Sequence, residues 1–295
     1  MHKAIQLGPH LATASVTSAL ILGALLLGAC DRRPEPERRQ ASASTVAVPK
    51  IPAPPLPPPP VGRRELLAAL ATARAAYAAG QVDGGAILAG RQFTIRQAFG
   101  CPGGRVGAVA TATAADHGRA SWTWGPDRKS IEISLKPAEW KSAPILADET
   151  AWEAVEGYWL PWPWLQTEEC PVSRYSGPAP PAAEASTPPG SKSVPPPTLL
   201  VSGLAAVFAQ GSSRVSRRDG RPFALTLRGE APLTAPANGY RLVIEGRFSA
   251  FSDGRAIRCR AADIDEPPVC IAAAEVDRVA FEDGDGTVLQ EWRSG

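Results

Sequence analysis

The chain has 295 residues, 44% of them apolar and 20% charged, with a formal net charge of +2. That balance argues against a nucleic-acid binder, which carries a clear basic excess, and against a disordered polyelectrolyte. The departures from ordinary composition are 31 prolines, 5 cysteines, 1 methionine and 3 histidines.

The N-terminal segment predicts export. Lys3 gives a short basic start, residues 11–27 form an uncharged apolar run, and the run ends in Leu27-Gly28-Ala29-Cys30. The run is marginal against the about twenty apolar residues of a spanning helix, and its small residues before a break read as a secretory signal. The ending resembles the lipobox of bacterial lipoproteins. The resemblance implies cleavage before Cys30, a diacylglycerol on its sulfur and acylation of the new amino group. Two or three acyl chains exceed the two-signal threshold for stable anchoring. Asp31 directly after the cysteine resembles the inner-membrane retention signal of that class. It implies the periplasmic face of the inner membrane, with the outer membrane as the alternative. Cleavage would remove Met1, His2, Lys3 and His10, leaving His117 as the one histidine and 30 basic residues (31 less Lys3) against 29 acidic. A site needing two histidines or a thioether is thereby excluded, and no metal or cofactor is expected.

Residues 30–62 read as lipid anchor and tether, closing on Pro57-Pro58-Pro59-Pro60. Such a segment buries too little apolar surface to fold, and at about 3.1 Å per residue its reach is on the order of 100 Å. Arg32, Arg33, Arg38 and Arg39 suit anionic headgroups, offset by Asp31, Glu35 and Glu37. A second stretch, 173–197, is rich in Pro, Ala and Ser and reads as a linker or loop. It separates 63–172 from 198–295, each long enough for a small core. Structureless loops of that length inside one domain are uncommon, which favours two lobes over two halves of one domain.

The first lobe opens with a helix, since Leu66, Leu70, Ala73 and Tyr77 fall at i, i+4, i+7 and i+11. Glu65 lies in its first turn and Gly80 just past its end. Phe93 and Ile95 alternate with polar residues as a strand. Residues 120–136 read as a β-hairpin turning at Gly125-Pro126-Asp127. In the second lobe Phe223, Leu225 and Leu227 alternate, as do Leu242 and Ile244. Turns fall at Ser252-Asp253-Gly254 and Asp283-Gly284-Asp285-Gly286, the latter followed by a last strand at 288–292. Residues 199–208 fit a short helix or a buried strand equally. The expected fold is α+β and mainly antiparallel β, with one N-terminal amphipathic helix and two small disulfide-stapled β-rich lobes.

Setting Cys30 aside leaves Cys101, Cys170, Cys259 and Cys270, an even number that predicts disulfides in an exported chain. Three pairings are open. With two cysteines in each lobe, Cys101–Cys170 and Cys259–Cys270 is the simplest, the second closing a short hairpin. No Cys-x-x-Cys and no zinc-finger spacing is present.

Seven of the 8 tryptophans lie between Trp122 and Trp164, densest in Tyr158-Trp159-Leu160-Pro161-Trp162-Pro163-Trp164. The prolines bar a central strand there. Tyr158, Trp159, Trp162 and Trp164 are therefore candidates for a ligand or partner surface, stacking on sugar or anchoring a protein. The competing reading is core and loop packing. Acidic groups at Asp148, Glu149, Glu153 and Glu156, at Glu168 and Glu169, and at Asp263, Asp265 and Glu266 offer the paired carboxylates of a glycan hydrolase. Solvated loop acids are the commoner outcome. No Gly-x-Ser-x-Gly elbow or Ser-x-x-Lys is present, so no catalytic residue is assigned. His117 reads as a turn residue, and Arg214, Arg217, Arg218 and Arg221 as a solvated basic loop.

The runs Gly90-Arg91-Gln92-Phe93 to Phe99-Gly100-Cys101, Val155-Glu156-Gly157-Tyr158-Trp159 and Asp277-Arg278-Val279-Ala280-Phe281-Glu282 resemble an uncharacterised family of proteobacterial lipoproteins. That resemblance implies no activity. The expected function is a lipid-anchored periplasmic protein that binds or scaffolds an envelope component, either peptidoglycan or another envelope protein, with no nucleic acid. The alternative is an envelope glycan hydrolase using an acidic pair.

Overall fold

The structure is a computed structural model and describes residues 57–81, 87–101, 117–161, 163–171, 202–211, 217–234 and 236–294. The expected signal segment, Cys30, the tether up to residue 56 and the linker 173–197 lie outside the described residues. Among those described, no helix is long and apolar enough to cross a membrane.

The helix α1 (Arg63–Ala78) forms where its period predicts. Leu66, Leu67, Leu70, Ala73 and Ala76 are buried along one side. Tyr77, expected in that stripe, is instead 41% exposed, and its hydroxyl accepts the Ala261 N–H. Gly80 has φ +69°, the left-handed conformation that ends many helices.

Strands follow in chain order: β1 (Gln92–Phe99), β2 (Ala120–Trp124), β3 (Ser130–Leu135), β4 (Ala138–Glu139), β5 (Trp152–Trp159), β6 (Ser202–Ala209), β7 (Phe223–Arg228), β8 (Tyr240–Phe248), β9 (Ile257–Arg260), β10 (Val269–Asp283) and β11 (Val288–Arg293). The predicted hairpin is β2–β3, and the segment left open between helix and strand is β6. The larger sheet runs β1-β8-β10-β6-β5-β4, with β9 and β11 also on β10; β2-β3-β7 form a second sheet. Pairing is antiparallel except β6 with β10, so the fold is mainly antiparallel β with one helix before it.

The two expected lobes are not separate bodies. β1 pairs with β8, β5 with β6, and β3 with β7, each joining a strand from 63–172 to one from 198–295. Residues 56–295 form one compact unit. The physical reason is strand pairing: β1, β3 and β5 each take a hydrogen-bonded neighbour from across the linker.

Alternation sorts the side chains of the larger sheet onto two buried faces. Leu204, Ala206 and Phe208 of β6 join Phe93, Ile95 and Phe281 in a core shared with α1 and with Ile131, Ile133 and Leu135 of the second sheet. Ala205 and Val207 face the other way, with Trp140, Leu146, Trp152, Phe251 and Ile271. Trp140 lies flat against β5 and β6 where Gly157 and Gly203 stand, and a Cβ at either position would collide with its indole.

Both simplest disulfides are present. Cys101 and Cys170 are bonded with Cα atoms 5.4 Å apart. Cys259 and Cys270, opposite one another in the β9–β10 ladder, are bonded with Cα atoms 4.1 Å apart. The second closes an 11-residue separation and presents a turn carrying Asp263, Ile264, Asp265 and Glu266, with Ile264 95% exposed.

Candidate functional site

β10 is 15 residues long and changes neighbours half-way. Along one edge it pairs with β6 through Ala274 and with β11 from Arg278. Along the other it pairs with β8, where Val276 opposes Gly246 and Arg278 opposes Glu245. Asp277 is thus the extra residue of a β-bulge, a device that turns a side chain out of its ladder. Gly246 permits it, because a Cβ there would strike the Glu275 carbonyl. Where β6 has left and β11 begins, the sheet opens into a cavity of about 160 Å³. Tyr158, Phe208, Phe223 and Trp292 supply apolar wall, and Arg218 and Asp277 supply charge.

Two buried polar groups stand at this place on β5. Tyr158 lines the cavity and is 2% exposed; burial raises its pKa, with the Glu156 carboxylate adding to the rise. Glu156, two residues earlier on the same side of the strand, is 6% exposed. Its Oε1 accepts the N–H groups of Arg218 and Asp219 at 2.8 and 2.9 Å, whereas Oε2 has no hydrogen-bond partner among the described residues. Burial raises the Glu156 pKa. The two backbone donors and Arg217 pull it down, Asp219 pushes it up, and burial prevails.

The aromatic candidates do not form one surface. Tyr158 and Trp159 end a central strand, β5, which stops before Pro161; the sequence expectation that prolines bar a strand holds only beyond Leu160. Tyr158 therefore points into the core and Trp159 to the opposite face, where its ring meets Trp140 at 4.7 Å. Trp162 lies outside the described residues, and Trp164 is 63% exposed. Elsewhere Trp140 and Trp152 are buried and Trp122, Trp124 and Trp292 are half-buried against the core, so most indoles pack. The segment bearing Trp164 is held by Arg63, a residue for which the sequence carries no signal. Its buried guanidinium donates to the carbonyls of Pro161 and Leu165 and to Gln97 Oε1. Burial lowers the Arg63 pKa to about 10, so it stays charged at neutral pH.

The candidate acids are dispersed and mostly engaged. Glu149 is buried, pairs with Arg258 at 2.7 Å and accepts the Ser252 hydroxyl at 2.8 Å. Glu153 pairs with Arg217 at 3.0 Å, and Glu169 faces Arg241 at 3.8 Å. Asp283 accepts the N–H groups of Asp285 and Thr287, which makes its segment a hydrogen-bonded turn. His117 sits in a turn, as expected, and Arg214 lies outside the described residues. Among the described residues no three potential ligands gather as a metal cluster would require. Comparison with protein-family models, with curated proteins and with solved structures found no match.

Proposed function

We propose that the protein is a lipid-anchored binding or scaffolding component of the bacterial envelope, held through Cys30 at the periplasmic face of the membrane. The observation that carries this reading is the partition of its five cysteines. Cys101 bonds Cys170 and Cys259 bonds Cys270, which leaves Cys30, at the end of the lipobox-like Leu27-Gly28-Ala29, outside the disulfide framework. Disulfides of this kind persist in oxidising compartments, the same compartments to which a lipobox sends a chain. The contact to the envelope is made through Trp164. Its indole is exposed on a segment that Arg63 and the Cys101–Cys170 bond tie to the core, and a ring presented on ordered backbone loses little freedom on binding. Peptidoglycan sugars offer apolar faces on which such a ring stacks.

Two substitutions test the two halves of the proposal. Cys30→Ala should abolish the incorporation of labelled palmitate and leave the apolar segment 11–27 uncleaved. Trp164→Ala should lower cosedimentation with purified peptidoglycan about tenfold, the cost of losing an anchoring aromatic, with the thermal midpoint unchanged. Palmitate labelling that survives in Cys30→Ala would remove the anchor, and undiminished cosedimentation of Trp164→Ala would remove the glycan contact.

A further inference from the structure

We infer that the cavity at the β10 bulge is a binding site for a small zwitterion with an apolar body, the chemistry of a free amino acid with an aromatic side chain. The inference is independent of the anchor and of Trp164. A volume of about 160 Å³ is on the scale of cavities that accept a benzene ring. Its lining includes the aromatic residues Tyr158, Phe208, Phe223 and Trp292.

The charges decide what else the ligand carries. Arg278 and Arg293 also border the cavity but are neutralised. Arg278 pairs with Glu245 at 2.8 Å and Glu291 at 2.7 Å, and Arg293 with Glu291 at 3.0 Å. Arg218 is different: its side chain reaches only the carbonyls of Arg221 and Pro222 and lies over the Phe223 ring at 4.6 Å, with no carboxylate partner among the described residues. Asp277, turned out by the bulge, has no cationic side-chain partner among the described residues. The lining thus holds a cation without a carboxylate partner and an anion without a cationic one among the described residues. A lone carboxylate would gain Arg218 but face Asp277, and a lone amine the reverse. An apolar molecule would answer neither charge. A molecule bearing an ammonium and a carboxylate on one carbon answers both, with its side chain against the aromatic wall.

The test uses the purified full chain and three probes titrated by calorimetry: phenylalanine, phenethylamine and 3-phenylpropanoate, the last two each lacking one pole. Phenylalanine should bind at millimolar concentration or below and about tenfold more tightly than either analogue. Asp277→Asn should cut phenylalanine affinity to about that of 3-phenylpropanoate without weakening the latter, and Arg218→Gln should do the same with phenethylamine as the reference. Both side chains lie at the surface, and near-ultraviolet circular dichroism verifies that each variant keeps its packed tryptophans. Absence of phenylalanine binding, binding no tighter than that of the analogues, or binding indifferent to both substitutions would overturn the assignment.

Discussion

Glu149 and Glu156 are seven positions apart and both buried, yet their surroundings give them opposite roles. Glu149 has Arg258 and Ser252 against it and ties the loop before β5 to the β8–β9 turn. Glu156 has two backbone donors on one oxygen and nothing on the other, and its pKa is raised chiefly by burial. An acid whose folded pKa lies above its unfolded value is stabilising, relative to its ionised form, only while protonated. That contribution is whole below the ordinary value of 4.5 and is lost as pH rises through the folded value. Glu156→Gln keeps an acceptor for the N–H groups of Arg218 and Asp219 but cannot ionise. Urea unfolding should therefore find it as stable as the natural chain or more so at pH 7, with the difference shrinking below pH 4.5. A variant clearly less stable at pH 7 would mean that the ionised carboxylate is compensated. None of this was legible beforehand, because two buried glutamates look alike until the fold supplies their neighbours.

At the scale of elements, legibility followed burial geometry. The β2–β3 hairpin was readable because β3 is buried on one side only, so its side chains alternate between apolar and polar. β6 was not, because Leu204, Ala206 and Phe208 serve one core while Ala205 and Val207 serve the other, and a strand buried on both faces has no period to detect. β5 was missed for the same reason, with two glutamates as a further disguise. Its Gly157 reads as a strand breaker in sequence, yet in the sheet it is the seat on which Trp140 rests. Gly157→Ala should cost about 1–3 kcal/mol, the range for overpacking a filled core, measured by chemical denaturation. A loss below a few tenths would mean that the indole moves aside freely. The bulge at Asp277 had no sequence signature at all, so the cavity beside it could not have been foreseen.

At the scale of the molecule, the proline-rich stretch misled by suggesting a domain boundary. A proline-rich composition does not say whether the pieces on either side of it fold apart. Here the three cross-pairings β1–β8, β5–β6 and β3–β7 bind both pieces into shared cores. Heating the oxidised protein should give one cooperative transition, and neither 63–172 nor 198–295 expressed alone should show native near-ultraviolet dichroism. Independent folding of either piece would contradict the interleaved topology. Five cysteines, two pairs and one remainder are the feature that links this architecture to a place in the cell. Intact-mass spectrometry of the protein extracted from its native membrane, without reductant, tests that link most directly. The account predicts a chain beginning at Cys30 with a diacylglyceryl group and at least one further acyl chain, and no free thiol. A chain that retains residues 1–29 with Cys30 as an unmodified thiol would contradict it.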